Sequence, residues 1–295
     1  MGQLIDGKQI SEDIKCELQS EIDELKRKAG ITPGLAVILV GDDPASASYV
    51  RGKGKACEKL GLHSLSLHLP ATIQQSQLLA EIEKLNHDPE IHGILVQLPL
   101  PAHIQENVVI NAISPEKDVD GFHPISKGKL SAGEDTFVPC TPAGIQELLI
   151  RSGNNPTGKH VVILGRSQIV GIPLAILLMQ KRPGANATVT VCHTGTREIA
   201  AFTQQADIVV AAMGKPEIIT AEMLPAGCVV IDVGVNRVED ANAKKGYRLV
   251  GDVAFESAVN KVKAITPVPG GVGPMTITML MKNTVKAARY SIEAD

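Results

Sequence analysis

The sequence predicts an α/β protein of parallel sheets arranged in two domains, and three observations carry that prediction. Helix-like and strand-like patterns alternate along almost the whole chain, which implies right-handed βαβ crossovers between parallel strands. The apolar runs are aliphatic: four Phe, three Tyr and no Trp leave Val, Ile and Leu to fill the core, as in sheets buried on both faces. At 295 residues the chain has room for two such cores.

The elements follow in order. Ile10, Ile14, Leu18, Ile22 and Leu25 step by three or four residues, which predicts a helix closed by Gly30 and Pro33. "LAVILV" at 35–40 reads as a buried strand. After "GDDP" a helix begins, with Asp42 or Asp43 near its start and Pro44 in its first turn, and it ends near Gly61. Strand-like "HSLSLHL", a helix near 74–87 and the apolar run "GILVQLPLP" come next. From 113 to 142 periodicity fades into a polar stretch with two prolines around Cys140 and Thr141, read as an interdomain crossing. The second half restarts with "KHVVILGRSQIVGIPLAILLM", a strand running through a glycine-containing turn into an apolar helix. Strands "ATVTVCHTG", "DIVVAAMG" and "CVVIDVG" follow, and then "ITPVPGGVGPMT" leads into a helix over about 275–290.

Composition narrows the function. A net charge of −3 gives no basic surface for nucleic acid or for an anionic membrane and suits a small metabolite. The scarcity of aromatic residues argues against a base-stacking platform. Cys16, Cys57, Cys140, Cys192 and Cys228 lack metal-ligand spacing, which speaks against zinc or a disulfide framework and for a reducing, cytoplasmic compartment. No motif calls for a metal. The N-terminal stretch turns charged and helical within ten residues and resembles neither a signal peptide nor a membrane span.

In "ASASYVRGKGK", Tyr49 and Lys53 stand four apart and share a helix face, where a phenol and an ammonium can tune each other's proton affinity. The same spacing serves the short-chain dehydrogenases; the alternative is a solvated surface lysine. Gln97 closes a strand before Pro99 and Pro101 forbid further pairing, so its amide either meets a ligand or Lys53 or turns to solvent. Asp118 and Asp120 either bind a ligand or cap turns. Gly165 ends a strand and Gly171 opens a helix whose amides would face a phosphate, with Arg166 and Ser167 where a second glycine is usual. The next strand ends in Cys192, His193 and Thr194, without the carboxylate that would hold an NAD ribose. NADP is therefore preferred, with Arg166 and His193 or Thr194 on its 2′-phosphate.

The order of these parts excludes a short-chain dehydrogenase, because the Tyr/Lys pair precedes the glycine turn by more than a hundred residues. "SASYVRGK", "VQLPLP", "KDVDGF", "GRSQIVGIP" and "ITPVPGGVGPMT", in that order, resemble the bifunctional methylenetetrahydrofolate dehydrogenase/methenyltetrahydrofolate cyclohydrolase enzymes. The resemblance implies two α/β domains flanking a cleft, the second a Rossmann-like NADP-binding domain, with the C-terminal helix packing back on the first. The folate-binding catalytic domain would span 1–138 plus helix 275–291, and the NADP-binding domain 139–274. It also implies a homodimer and a two-step reaction, NADP-dependent oxidation of 5,10-methylenetetrahydrofolate and then hydrolysis to 10-formyltetrahydrofolate. Lys53 would be the proton-transfer group, held by Gln97 and oriented by Tyr49, while Gly52 and Gly54 leave the one-carbon bridge clear. Asp120, rather than Asp118, would accept bonds from the pterin. Pro269, Gly273 and Pro274 would line the folate, and Gly165, Arg166, Ser167, Thr194 and Val235 the NADP. Two alternatives stand beside this reading: a dehydrogenase-only enzyme of the same fold and a non-catalytic NADP-binding regulator.

Overall fold

The computed structural model describes residues 2–241, 243 and 246–293. The chain opens with strand β1 (Gln3–Leu4) and helix α1 (Gly7–Ala29), and then alternates: β2 (Gly34–Val40), α2 (Pro44–Leu60), β3 (His63–Leu69), α3 (Gln75–His87), β4 (Gly93–Val96), α4 (Glu106–Ala112), α5 (Pro124–Ala132) and α6 (Cys140–Arg151). The second half runs β5 (His160–Leu164), α7 (Gly171–Met179), β6 (Thr188–Cys192), α8 (Ile199–Thr203), β7 (Ile208–Ala211) and β8 (Val229–Asp232). A hairpin of β9 (Asn236–Glu239) and β10 (Tyr247–Val250), helix α9 (Phe255–Ala258), strand β11 (Ala264–Ile265) and the long helix α10 (Val272–Glu293) complete it. The backbone divides into two units, one of 13–140 with 277–295, the other of 1–12 with 141–276.

In the unit containing 13–140, three parallel strands lie in the order β3-β2-β4. Every residue of β2 is buried, as a central strand of unbroken aliphatic sequence requires. β3 is an edge strand: its leucines pack inward with α3 and α4, and its serines and histidines turn outward. α2 starts on Asp43, whose carboxylate accepts from the Ser46 amide at 2.7 Å, and stops at Gly61. α10 belongs to this unit from residue 277 onward, where Arg289 pairs with Glu21 of α1 and Lys286 with Asp135. The expected return of the C-terminal helix onto the first domain is thus observed.

The other unit carries a six-stranded sheet, all parallel, in the order β1-β11-β8-β7-β5-β6. Strands β5 to β8 are almost completely covered except at β6, the outer edge. Residues 1–12 fall here, because Gln3 and Leu4 add to the sheet beside Ala264 and Ile265. The expected bounds of 1–138 place them with the other unit, and strand pairing beside β11 puts them here instead.

Two further stretches differ from expectation. The polar segment 113–142 is not a featureless crossing: a 3-10 turn at Pro115–Lys117 and helix α5 occupy it. α5 is short and holds only Ser126 and Leu130 buried, so its apolar periodicity is too sparse to read. The β9–β10 hairpin also carried no recognisable turn signal of the short hairpin kind.

Candidate functional site

Both sheets follow the rule that open α/β sheets hold ligands outside the carboxyl ends of strands, where the order of connection reverses. In the three-stranded sheet the reversal lies between β2 and β4. α2 leaves from the end of β2, and its buried stripe is Ser46, Val50, Lys53, Ala56, Cys57 and Leu60. A lysine thus occupies a position that helical spacing gives to the core, and it is only 7% exposed. Gln97 follows β4, its amide N–H donating to Ile38 of β2 at 2.8 Å.

The two side chains meet there. Lys53 Nζ donates to Gln97 Oε1 at 2.9 Å, and Gln97 Nε2 donates to the Leu98 carbonyl at 2.8 Å, which fixes the amide with its oxygen toward the lysine. The Leu98–Pro99 peptide is cis. Burial pushes the Lys53 ammonium below the usual lysine range, opposed by the nearby charge of Asp120 and by Cys140. Burial also raises the Asp120 carboxyl, to about 6; Lys53 pulls it down and Asp118 pushes it further up. Asp120 itself is half-buried. The arrangement is a lysine, a carboxyl and the Cys140 thiol sharing one low-dielectric corner, where burial moves the lysine and the carboxyl toward neutrality and pushes the thiol further up.

The neighbouring aspartate does something else. Asp118 is 1% exposed and accepts from the amides of Phe122 and His123 at 3.1 and 2.9 Å and from Ser126 Oγ at 2.6 Å. It ties off the start of α5, so of the two acidic residues Asp118 is the turn-former and Asp120 the one beside Lys53. Tyr49 is one turn before Lys53 but 43% exposed, so the pair splits between core and surface. Gly52 lies against Ile277 of α10, and a Cβ on Gly54 would meet nothing within 4 Å.

In the six-stranded sheet the reversal lies between β5 and β7. Gly165 ends β5 at φ +129°, and a Cβ there would stand 2.2 Å from the Ala212 carbonyl after β7, so only glycine fits. Its amide donates to the Cys192 carbonyl at 2.8 Å, which draws the turn to the end of β6, next to His193 and Thr194. Arg166, Ser167 and Thr194 are exposed. The helix start differs in detail from expectation: Ser167 Oγ accepts from the amides of Val170 and Gly171 at 3.1 and 3.4 Å, so those donors are capped from within. Val235, 49% exposed, projects from the segment after β8. Pro269, Gly273 and Pro274 lie between β11 and the first turn of α10, with the Val268–Pro269 peptide cis and Pro269 exposed.

Sequence reasoning missed a pair of carboxylates in this unit. Asp232 and Asp252 are 3% and 0% exposed. Asp252 accepts from the amides of Met213, Gly214 and Lys215 at 2.5, 3.0 and 2.9 Å and from Asn236 Nδ2 at 2.9 Å. Asp232 accepts from Gly234, Asp252 and Val253, each near 3 Å, and burial raises its carboxyl to about 6. The available signal was an aspartate ending each of two apolar runs, in "VVID" and "LVGD". Among the described residues no cluster of His, Cys, Asp or Glu is arranged to hold a metal, and no helix is long and apolar enough to cross a membrane.

A buried lysine on the helix that leaves one parallel sheet, and a glycine turn at the strand end of another, are the build of a two-unit α/β enzyme. Residues 5–120 match the pattern of the tetrahydrofolate dehydrogenase/cyclohydrolase catalytic domain, and residues 139–292 that of the tetrahydrofolate dehydrogenase/cyclohydrolase NAD(P)-binding domain. The chain belongs to this tetrahydrofolate dehydrogenase/cyclohydrolase family. It is 56% identical over 289 residues to the bifunctional protein FolD of Chloroherpeton thalassium, covering 97% of this chain and 98% of that one. The crystal structure of the bifunctional enzyme FolD of Campylobacter jejuni is 49% identical, with a TM-score of 0.92 over 99% of this chain and 100% of that one. The FolD of Trypanosoma brucei, solved with NADP cofactor and an inhibitor, is 42% identical with a TM-score of 0.93, covering 99% of this chain and 98% of that one.

Proposed function

We propose that this chain oxidises 5,10-methylenetetrahydrofolate with NADP+ and hydrolyses the methenyl product to 10-formyltetrahydrofolate, with Lys53 as the proton-transfer group of the second step. The observation that carries the assignment is the buried Lys53–Gln97 bond beside Asp120, at the carboxyl ends of β2 and β4.

Each residue has a task that its chemistry fits. In the first step the one-carbon bridge gives up a hydride, so two electrons and one hydrogen leave together, and the bridge carbon becomes cationic. The nicotinamide supplies the acceptor for that hydride. Protein groups then have little proton work to do beyond orientation. In the second step water adds to the cationic carbon and loses a proton; the hydroxyl so formed then gives up its own proton to solvent as the carbonyl forms, the carbon–nitrogen bond breaks and the ring nitrogen takes a proton. Lys53, with its proton affinity lowered by burial, takes the first proton and returns it to the leaving nitrogen. Gln97 holds the amine, Asp120 accepts bonds from the pterin, and Tyr49 flanks the ring.

The donor set after β5 suits NADP: an exposed Arg166 on the turn, and no carboxylate at Cys192, His193 or Thr194 to repel a 2′-phosphate. Gly165, Ser167 and Val235 would complete that binding surface, and Pro269, Gly273 and Pro274 would lie along the folate. The same reading gives a folate-binding domain of 1–138 with 275–291, less the first residues that pair with β11, an NADP-binding domain of 139–274, a homodimer and a cytoplasmic setting. The test is one absorbance assay on purified protein with 5,10-methylenetetrahydrofolate and NADP+ or NAD+. Reduced nicotinamide with little methenyl intermediate supports the coupled enzyme. Methenyl accumulating in step with reduced nucleotide leaves a dehydrogenase alone, and no signal with either cofactor removes the proposal.

A further inference from the structure

Asp120 stands in a loop that has no regular structure of its own, between the 3-10 turn and α5. Something must hold it beside Lys53. Below it, Asp118 fixes the backbone that follows. Above it, Gly121 at φ +73° packs so closely on the 137–139 segment that a Cβ would stand 2.7 Å from the Phe137 carbonyl.

The third support comes from the other end of the sequence. Asn283, on α10 and 9% exposed, donates through Nδ2 to the Val119 carbonyl at 2.8 Å and to the Val138 carbonyl at 3.1 Å. One amide thus joins the two backbone segments that flank Asp120 and Cys140. The Cys140 thiol donates to the same Val119 carbonyl at 3.4 Å, and Asn283 Nδ2 stands 3.8 Å from its sulfur. The peptide unit that accepts these bonds is the one joining Val119 to Asp120, so its orientation sets where the Asp120 side chain begins.

We propose that Asn283 is a positioning residue of the folate site, acting through Asp120: its amide fixes the Val119–Asp120 peptide against the 137–140 segment and so holds the carboxyl in place beside Lys53. The inference rests on the assignment of Asp120 to pterin binding. Asn283 touches no reacting atom. Its removal leaves the buried Val119 carbonyl with only the weak Cys140 thiol donor, takes the side-chain donor from the part-buried Val138 carbonyl and frees the loop to shift, and a shift of a fraction of an ångström at a binding carboxylate is enough to weaken substrate binding.

A double-mutant cycle on the full chain tests this, using Asn283→Ala, Asp120→Asn and the combination, with kcat and KM for methenyltetrahydrofolate hydrolysis and the affinity for NADP+ measured for each. Asn283→Ala is expected to raise the folate KM about five- to twentyfold with a smaller change in kcat, and to leave NADP+ affinity within twofold. In the Asp120→Asn background the same substitution should change KM by less than about twofold, because the group it positions is already impaired. Asn283→Ser, which keeps one donor, should fall between wild type and alanine and serves if the alanine variant does not fold. Losses that multiply in the double variant, an unchanged folate KM, or a parallel loss of NADP+ affinity would each overturn the proposal. If Asp120→Asn alone leaves folate binding intact, the assignment of Asp120 falls and takes the inference with it, an outcome distinct from failure of the cycle.

Discussion

Two corners of the molecule bury ionisable groups at the ends of parallel strands, and they treat them in opposite ways. Asp252 has four donors on its two oxygens, three of them backbone amides, and Asp232 has three more. Lys53 is buried with one side-chain amide oxygen as its hydrogen-bonded partner, and the Asp120 charge acts on it through space. The first pair is saturated, so its charges serve the backbone: they lock the turns after β7 and β8. Lys53 has one hydrogen-bonded partner among the described residues, and burial lowers the proton affinity of its ammonium. Burial shifts the proton affinity of Lys53 and of Asp232 alike; what differs between the two corners is how many hydrogen bonds each group commits to the backbone.

Substitutions can break that contrast, and the largest effect is expected at Lys53. Lys53→Met should cut hydrolysis by about 10²- to 10⁴-fold, the range for loss of a positioned acid/base group. It should cost only a modest amount of unfolding free energy, because an apolar chain of similar length replaces a buried charge while Gln97 loses a donor and Asp120, without the ammonium, is held further toward its protonated form. A loss of several kcal/mol in urea unfolding would make Lys53 structural and erase the distinction. Asp252→Ala should behave the other way. Removing a fully buried acceptor leaves three amides and Asn236 unpaired, for a destabilisation of about 3–5 kcal/mol measured by denaturant titration. Gly165→Ala, smaller, should cost about 1–3 kcal/mol from its positive φ and its collision with Ala212, and raise the KM for NADP+.

pH sharpens the comparison further. Asp120 carries its carboxyl at about 6, so the folate KM should rise as pH falls through that value, and the dependence should flatten in Asp120→Asn. Asp232 is also raised to about 6 from 3.8. Between those values the folded chain holds a proton that the unfolded chain has lost, so this group's contribution to stability is fully present below about pH 4 and is lost as pH rises through 6. Unfolding curves of wild type and Asp232→Asn at pH 4 and 7 should differ in that sense. The smallest effect belongs to the surface: Arg248 and Glu217 stand 3.3 Å apart with both side chains well exposed, and Arg248→Ala should change stability by about 0.5 kcal/mol or less.

Most of the fold was legible because β2, β4, β5, β7 and β8 are unbroken aliphatic runs between helices whose caps, such as Asp43 and Gly61, are written in residue type. Lys53 and Gln97 were legible for the same reason, since one sits at a core position of α2 and the other just before prolines that end a strand. What could not be read depends on contacts distant in sequence. No local pattern announces that Gln3 and Leu4 pair beside β11, that Asp252 receives the Met213–Lys215 amides, or that Asn283 reaches Val119 across 164 residues. α5 was missed from local weakness instead: it is a nine-residue helix with only two buried side chains.

The discontinuity of the units bears on how the chain acquires its structure. Cys57 of α2 packs its sulfur 3.6 Å from that of Met281, 224 residues later, and Glu21 finds Arg289 at a separation of 268. The three strands beside α2 can pair early, yet Cys57 of α2 lacks its Met281 neighbour until α10 exists. On a ribosome that releases the chain from its N-terminus, the face of α2 around Cys57 waits through the synthesis of β5 to β11, and the closing step joins ends that are nearly a whole chain apart. A nascent chain stopped short of α10 would present that apolar face to chaperones rather than fold around it.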